Sequence, residues 1–93
     1  MHEASLADDL VRKAEQVARA EGATRVTSVT VRVGGLCHLT PEHLWEHFAE
    51  AARGTIVEGS AVKVVEGPGG DDGLADPHAM DLLLLSVDVE GGG

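Results

Sequence analysis

The sequence predicts an α+β fold: a two-layer domain with two helices packed on one face of a three-stranded mixed sheet. Three observations carry this. Two segments repeat apolar residues at helical spacing, near residues 5–21 and 41–53. Three short Val- or Leu-rich runs, 25–33, 61–66 and 82–90, alternate as strands do. The whole order, helix–strand–helix–strand–strand, fits within 93 residues, the length of one small domain.

The first helix starts at Ser5, a capping hydroxyl with Asp8 three residues on. Leu6, Leu10, Ala14, Val17 and Ala18 form its apolar stripe, and Gly22 stands where a left-handed residue ends a helix. In the run 25–33, Val29, Val31 and Val33 point one way and Ser28, Thr30 and Arg32 the other; Gly34-Gly35 ends it. Thr40-Pro41 opens the second helix, a capping hydroxyl followed by Pro at the first helical position. Leu44, Trp45, Phe48, Ala49 and Ala52 are its apolar side, and Gly54 stops it. The segment 25–66 is long enough for a parallel strand–helix–strand crossover. A Gly/Asp-rich stretch, 67–81, reads as a flexible loop because Gly67-Pro68-Gly69-Gly70 cannot continue a strand. The last strand, 82–90, places Leu83, Leu85, Val87 and Val89 on one face. One domain over residues 1–93 is expected.

Composition narrows the function. The net charge of −9 argues against nucleic acid and against an anionic membrane, since both need a basic face. Cys37 is the sole cysteine, so neither an intramolecular disulfide nor a multi-cysteine zinc site is available. The polar, acidic amino terminus does not read as a signal peptide, and the longest apolar run is Leu82 to Leu85, far short of a membrane span of ~20 residues. A cytoplasmic location is expected. No Gly-rich loop ends in Gly-Lys-Ser/Thr, and Cys37-His38 lacks a third orienting group, so no enzyme activity is expected.

The chemistry concentrates at Met1-His2-Glu3. A bulky His2 keeps the initiator Met1 in place. The terminal amine, the His2 backbone nitrogen and the His2 imidazole then close fused chelate rings, an arrangement suited to a square-planar divalent ion such as nickel or copper. A frayed, solvated residue is the simpler reading of His2 taken alone. Amine and imidazole, with free pKa values of ~7.7–8.0 and ~6.5, bind only when deprotonated, so affinity should fall with pH. Three nitrogens leave one position open for a recipient's ligand.

Other candidates are weaker. His43 and His47 are four apart on one helix face beside Glu46 and Glu50, but a solvated face explains them as well, and His38 adds no defined third ligand. Asp71, Asp72, Asp76, His78 and Asp81 form an acidic cluster in the loop, where ordering entropy opposes metal binding.

Several segments together resemble the HypA/HybF hydrogenase nickel-incorporation proteins. They are Met1-His2-Glu3, the helix from Ser5-Leu6, the strand Val26 to Val33, Thr40-Pro41-Glu42-His43-Leu44, Gly54-Thr55-Ile56-Val57-Glu58-Gly59 and the strand Leu82 to Glu90. The resemblance implies a nickel metallochaperone that holds nickel(II) transiently through Met1, His2 and Glu3. It implies work with a nickel-handling maturation GTPase to load the large subunit of [NiFe] hydrogenase, or in some organisms urease. Such proteins usually carry a zinc ribbon of paired C-x-x-C motifs where this chain has residues 67–81 and no cysteine, so structural zinc is expected to be absent. The alternative implied by that loss is an adaptor that docks to maturation partners without carrying metal.

Overall fold

A computed structural model of the chain describes residues 3–35, 40–78 and 81–91. The elements in order are α1 (Glu3–Ala20), β1 (Arg25–Val33), α2 (Pro41–Ala52), β2 (Ala61–Glu66), α3 (Gly70–Ala75) and β3 (Leu82–Glu90). The sheet order is β2-β1-β3, with β1 parallel to β2 and antiparallel to β3. This is the expected mixed sheet. α1 and α2 cover one face: Leu10, Val11, Ala14 and Ala18 of α1 and Leu44, Phe48 and Ala52 of α2 join Val26, Val29, Val31 and Val33 of β1 in one core. Burying side chains such as Leu44 and Phe48 stabilises the fold by roughly 1.5–3 kcal/mol each.

α1 begins two residues before Ser5, so Ser5 lies inside the helix and is not its cap. Its buried stripe is Ala7, Leu10, Val11, Ala14 and Ala18, about 100° wide at helical spacing. Val17, expected in the stripe, sits on its flank and is exposed, whereas Val11 is buried. The helix ends at Ala20, and Gly22, in the turn that follows, takes the left-handed conformation (φ +71) that its position predicts.

In α2, Thr40 Oγ1 accepts the His43 backbone N–H at 3.2 Å, and Pro41 follows the cap, as read from the sequence. Trp45 and Ala49 were expected in the core but are exposed, Trp45 by 56%. Leu44, Phe48 and Ala52 hold the centre of the buried face, and Trp45 and Ala49 flank it toward β2.

Two β-bulges set which side chains face the helices. Opposite β3 the register passes from Val26↔Val89 to Ser28↔Asp88, leaving Thr27 as an extra residue on β1. The added residue shifts the alternation by one and brings Val26 to the same face as Val29, Val31 and Val33. The second shift passes from Thr30↔Ser86 to Val31↔Leu84, so Leu85 is the extra residue on β3. Simple alternation placed Leu83, Leu85, Val87 and Val89 together; with the bulge, Leu82, Leu84, Val87 and Val89 pack on the core and Leu85 is exposed.

The segment Gly54–Gly59 returns the chain from α2 toward β2. Gly54 (φ +80) and Gly59 (φ +79) take the left-handed turns. Thr55 Oγ1 donates to the Ala52 carbonyl at 2.7 Å and accepts the Val57 N–H at 3.0 Å. Val57 is fully buried, and the Ile56 carbonyl accepts the Val26 N–H at 2.9 Å. After β2, the stretch expected to lack regular structure contains the short helix α3, a third helix beyond the two predicted.

Candidate metal centre at the amino terminus

The candidate ligands Met1 and His2 lie outside the described residues, and Glu3 is the first residue of α1. The fold fixes which end of the domain carries the start of α1. α1 reverses through Glu21–Thr24 into β1 and packs against β1, β3 and α2, so it runs back along the sheet. Its 18 residues span about 27 Å, and the 9 residues of β1 about 30 Å. The start of α1 therefore lies at the end of the sheet where β1 and β2 finish and β3 begins. The cap of α2 at Thr40 and the segment 67–81 belong to that same end.

The local chemistry of a helix start bears on a metal. The first four backbone N–H groups of a helix have no partner within it. A deprotonated amide nitrogen at the head of α1 thus costs no helical hydrogen bond. The positive end of the helix dipole opposes a cation there, and Asp9, in the second turn, is paired with Arg12 at 2.8 Å. Ala7 is fully buried, so the packed core starts one turn, about 6 Å, beyond Glu3.

The other sequence candidates do not assemble into a site. Among the described residues no group of three or more His, Cys, Asp or Glu side chains could hold a metal ion. His43 is exposed and His47 half-buried on α2, and Glu50 pairs with Arg53 at 3.1 Å. Cys37 and His38 lie outside the described residues.

The acidic cluster of 71–81 has a different use, which sequence reasoning missed. Asp76 caps the end of α3 and pairs with Arg32 of β1 at 2.5 Å, with both side chains largely buried. Its other oxygen accepts the His78 backbone N–H at 3.0 Å, and His78 Nδ1 lies 2.9 Å from Asp81 Oδ2. The Arg32 guanidinium, and then the His78 N–H, hold the Asp76 carboxyl below its ordinary value. Backbone bonds complete the attachment: Gly67 N–H to the Val33 carbonyl at 2.8 Å and Gly34 N–H to the Asp81 carbonyl at 2.9 Å. The signal in the sequence was Arg32, one of two cations on the central strand and the one at the end where 67–81 departs. Asp71 and Asp72 are exposed in the first turn of α3.

No helix among the described residues is long and apolar enough to cross a membrane. Residues 1–70 match the family described as hydrogenase/urease nickel incorporation, metallochaperone, HypA. The chain is 42% identical over 64 residues to hydrogenase maturation factor HypA of Archaeoglobus fulgidus, covering 69% of this chain and 58% of that one. It is 38% identical over 69 residues to hydrogenase maturation factor HypA 1 of Bradyrhizobium diazoefficiens, covering 74% and 61%. The chain thus spans about three-fifths of the length of these curated relatives. The fold is similar to the solution structure of the Ni metallochaperone HypA from Helicobacter pylori, with a TM-score of 0.75 over 96% of this chain and 97% of that one at 17% identity. With three-quarters of its residues inside the family match, and the match starting at Met1-His2-Glu3, the chain belongs to the HypA family.

Proposed function

We propose that this protein is a nickel metallochaperone that takes up nickel(II) at its amino terminus and helps insert it into [NiFe] hydrogenase during maturation. The observation that carries the reading is the family match, which includes the Met1-His2-Glu3 head. Nickel is the cargo. The Met1 amine, the His2 backbone nitrogen and the His2 imidazole supply three positions of a square plane, and Glu3 contributes through its backbone nitrogen or beside the ion. The unpartnered amides at the start of α1 support this chemistry, because using them as ligands leaves the helix intact. The open fourth position lets a recipient ligand enter before the ion leaves. The protein acts as a carrier and not as a catalyst, in the cytoplasm, with a nickel-handling GTPase and the hydrogenase large subunit as partners. With one cysteine in the chain, no zinc ribbon accompanies the nickel site.

The test is calorimetric titration of nickel(II) into tag-free protein beginning at Met1, repeated with His2→Ala and with the amine acetylated. Binding near one equivalent that is lost in both variants is expected. Equal binding by His2→Ala would sink the carrier reading. No binding by the unaltered protein would favour the adaptor that docks without metal.

A further inference from the structure

The free edge of β2 faces a groove that the nickel chemistry does not use. Pro41, Glu42, Trp45 and Glu46 of α2 and Val62 and Val64 of β2 line a cleft of about 420 Å³. A second cavity of about 260 Å³ continues it past Trp45, Phe48 and Val57 to Ser60. The groove therefore runs along β2 from Ser60 to Val64, roughly 13 Å of extended chain. Trp45, the only tryptophan, is 56% exposed along it. The Ser60 hydroxyl at its far end is buried with no hydrogen-bond partner among the described residues.

Among the described residues the backbone of this edge is open. Among the described residues β2 is an outer strand, paired only with β1. Gly67 N–H bonds to the Val33 carbonyl, which fixes the phase of the strand. By alternation, residues 63 and 65 turn their backbone groups to β1, and Val62, Val64 and Glu66 turn theirs outward. The edge carries no proline and no bulge, two devices that block pairing, and its one lysine, Lys63, alternates with the groove-lining Val62 and Val64 and so lies on the face away from α2. An added strand would find backbone partners at Val62, Val64 and Glu66 and, on the helix side, the Trp45 face beside Glu42 and Glu46.

Charge selects the occupant. A second copy of this chain would set Glu42 and Glu46 against themselves, on a protein of net charge −9. A long basic side chain suits the same groove: its methylenes lie on the indole and its cation reaches the two carboxylates. We propose that the β2 edge is a docking site for an extended segment of a partner protein in which Arg or Lys alternates with apolar residues, bound as a fourth strand. Pro41 and Glu42 start α2 at the end of the sheet where α1 also begins, so the docked strand lies along a path that reaches that end.

The test needs no nickel, so it stands or fails apart from the carrier reading. A capped hexapeptide alternating Arg and Val is titrated into the full chain, with amide exchange followed by NMR. Expected is slowing by about tenfold or more at Val62, Val64 and Glu66, with no change at Val87 and Val89 of β3. The pair Glu42→Lys and Glu46→Lys should weaken binding by about tenfold or more, and Trp45→Ala by about fivefold. All three positions are exposed, and circular dichroism checks that the variants fold. A peptide methylated at every backbone nitrogen should not bind. Equal binding of a Glu-Val peptide, or unchanged exchange at the three β2 amides, would overturn the proposal. Protection of those amides without peptide, in a concentration-dependent dimer, would overturn it in favour of a second copy.

Discussion

Replacing Thr55 by Val exchanges one hydroxyl for a methyl and leaves the shape of the side chain nearly unchanged. In the structure that hydroxyl joins the end of α2 to the turn that follows, donating to the Ala52 carbonyl and accepting the Val57 N–H. The Ala52 carbonyl also receives the Thr55 N–H at 3.0 Å and stays bonded in the variant. The Val57 N–H loses its acceptor beside a fully buried side chain. An unsatisfied buried donor costs about 1–3 kcal/mol. Near the middle of that range, about 2 kcal/mol, the thermal midpoint of a domain this size falls by about 8–16 °C. Thr55→Ser keeps the oxygen, removes one methyl and should cost under ~1 kcal/mol. Urea unfolding of the three proteins at one pH, with equal m-values, measures both changes. The hydrogen-bond argument is wrong if Thr55→Val is as stable as Thr55→Ser. Nickel affinity below the melting range should be the same in all three, because Gly54–Gly59 meets the start of β1 at Val26, at the opposite end of the sheet from the start of α1.

Other outcomes follow from the same structure. Asp76 has its carboxyl lowered below 3.8 by Arg32, so its stabilising contribution is present above that value and lost as pH falls through the folded value. Asp76→Asn should therefore flatten the acid limb of a stability profile below about pH 4 and leave a constant loss at neutral pH, measured by urea midpoints. Leu85→Lys should change stability by no more than about 0.5 kcal/mol, whereas Leu84→Lys, one residue away, should cost more than about 2 kcal/mol; equal effects would remove the bulge from the account. Nickel binding at the amino terminus should weaken steadily below about pH 7 with proton release, seen as buffer-dependent heats in calorimetry.

Much of the fold is legible in the residues because each element carries its own punctuation. Thr40-Pro41 gives the start of α2, Gly22 and Gly54 give two ends, and the Val-rich run gives β1. What escapes is set by partners far along the chain. Thr27 and Leu85 become bulges only when β1 and β3 pair, so local alternation misassigns the faces of β3. Trp45 reads as core because helical spacing tells a stripe from its opposite side but not its centre from its flank. The Arg32–Asp76 pair joins residues on two separate elements, and a glycine-rich composition conceals α3. The head of the candidate site is legible as donor chemistry, and the position of the start of α1 at one end of the sheet follows only from the reversal between α1 and β1.

The placement of β3 has a consequence for synthesis on the ribosome. Arg25 at the start of the central strand pairs with Glu90 at the close of the last one. The central strand therefore emerges early and keeps one edge unpaired until Glu90 has been made. The parallel partner β2 can join first, but the antiparallel ladder forms only after 67–81 has been translated. Any stretch spliced between β2 and β3 lengthens that wait without altering a single pair in the finished sheet, and slow codons there would prolong the exposure of a Val-rich strand.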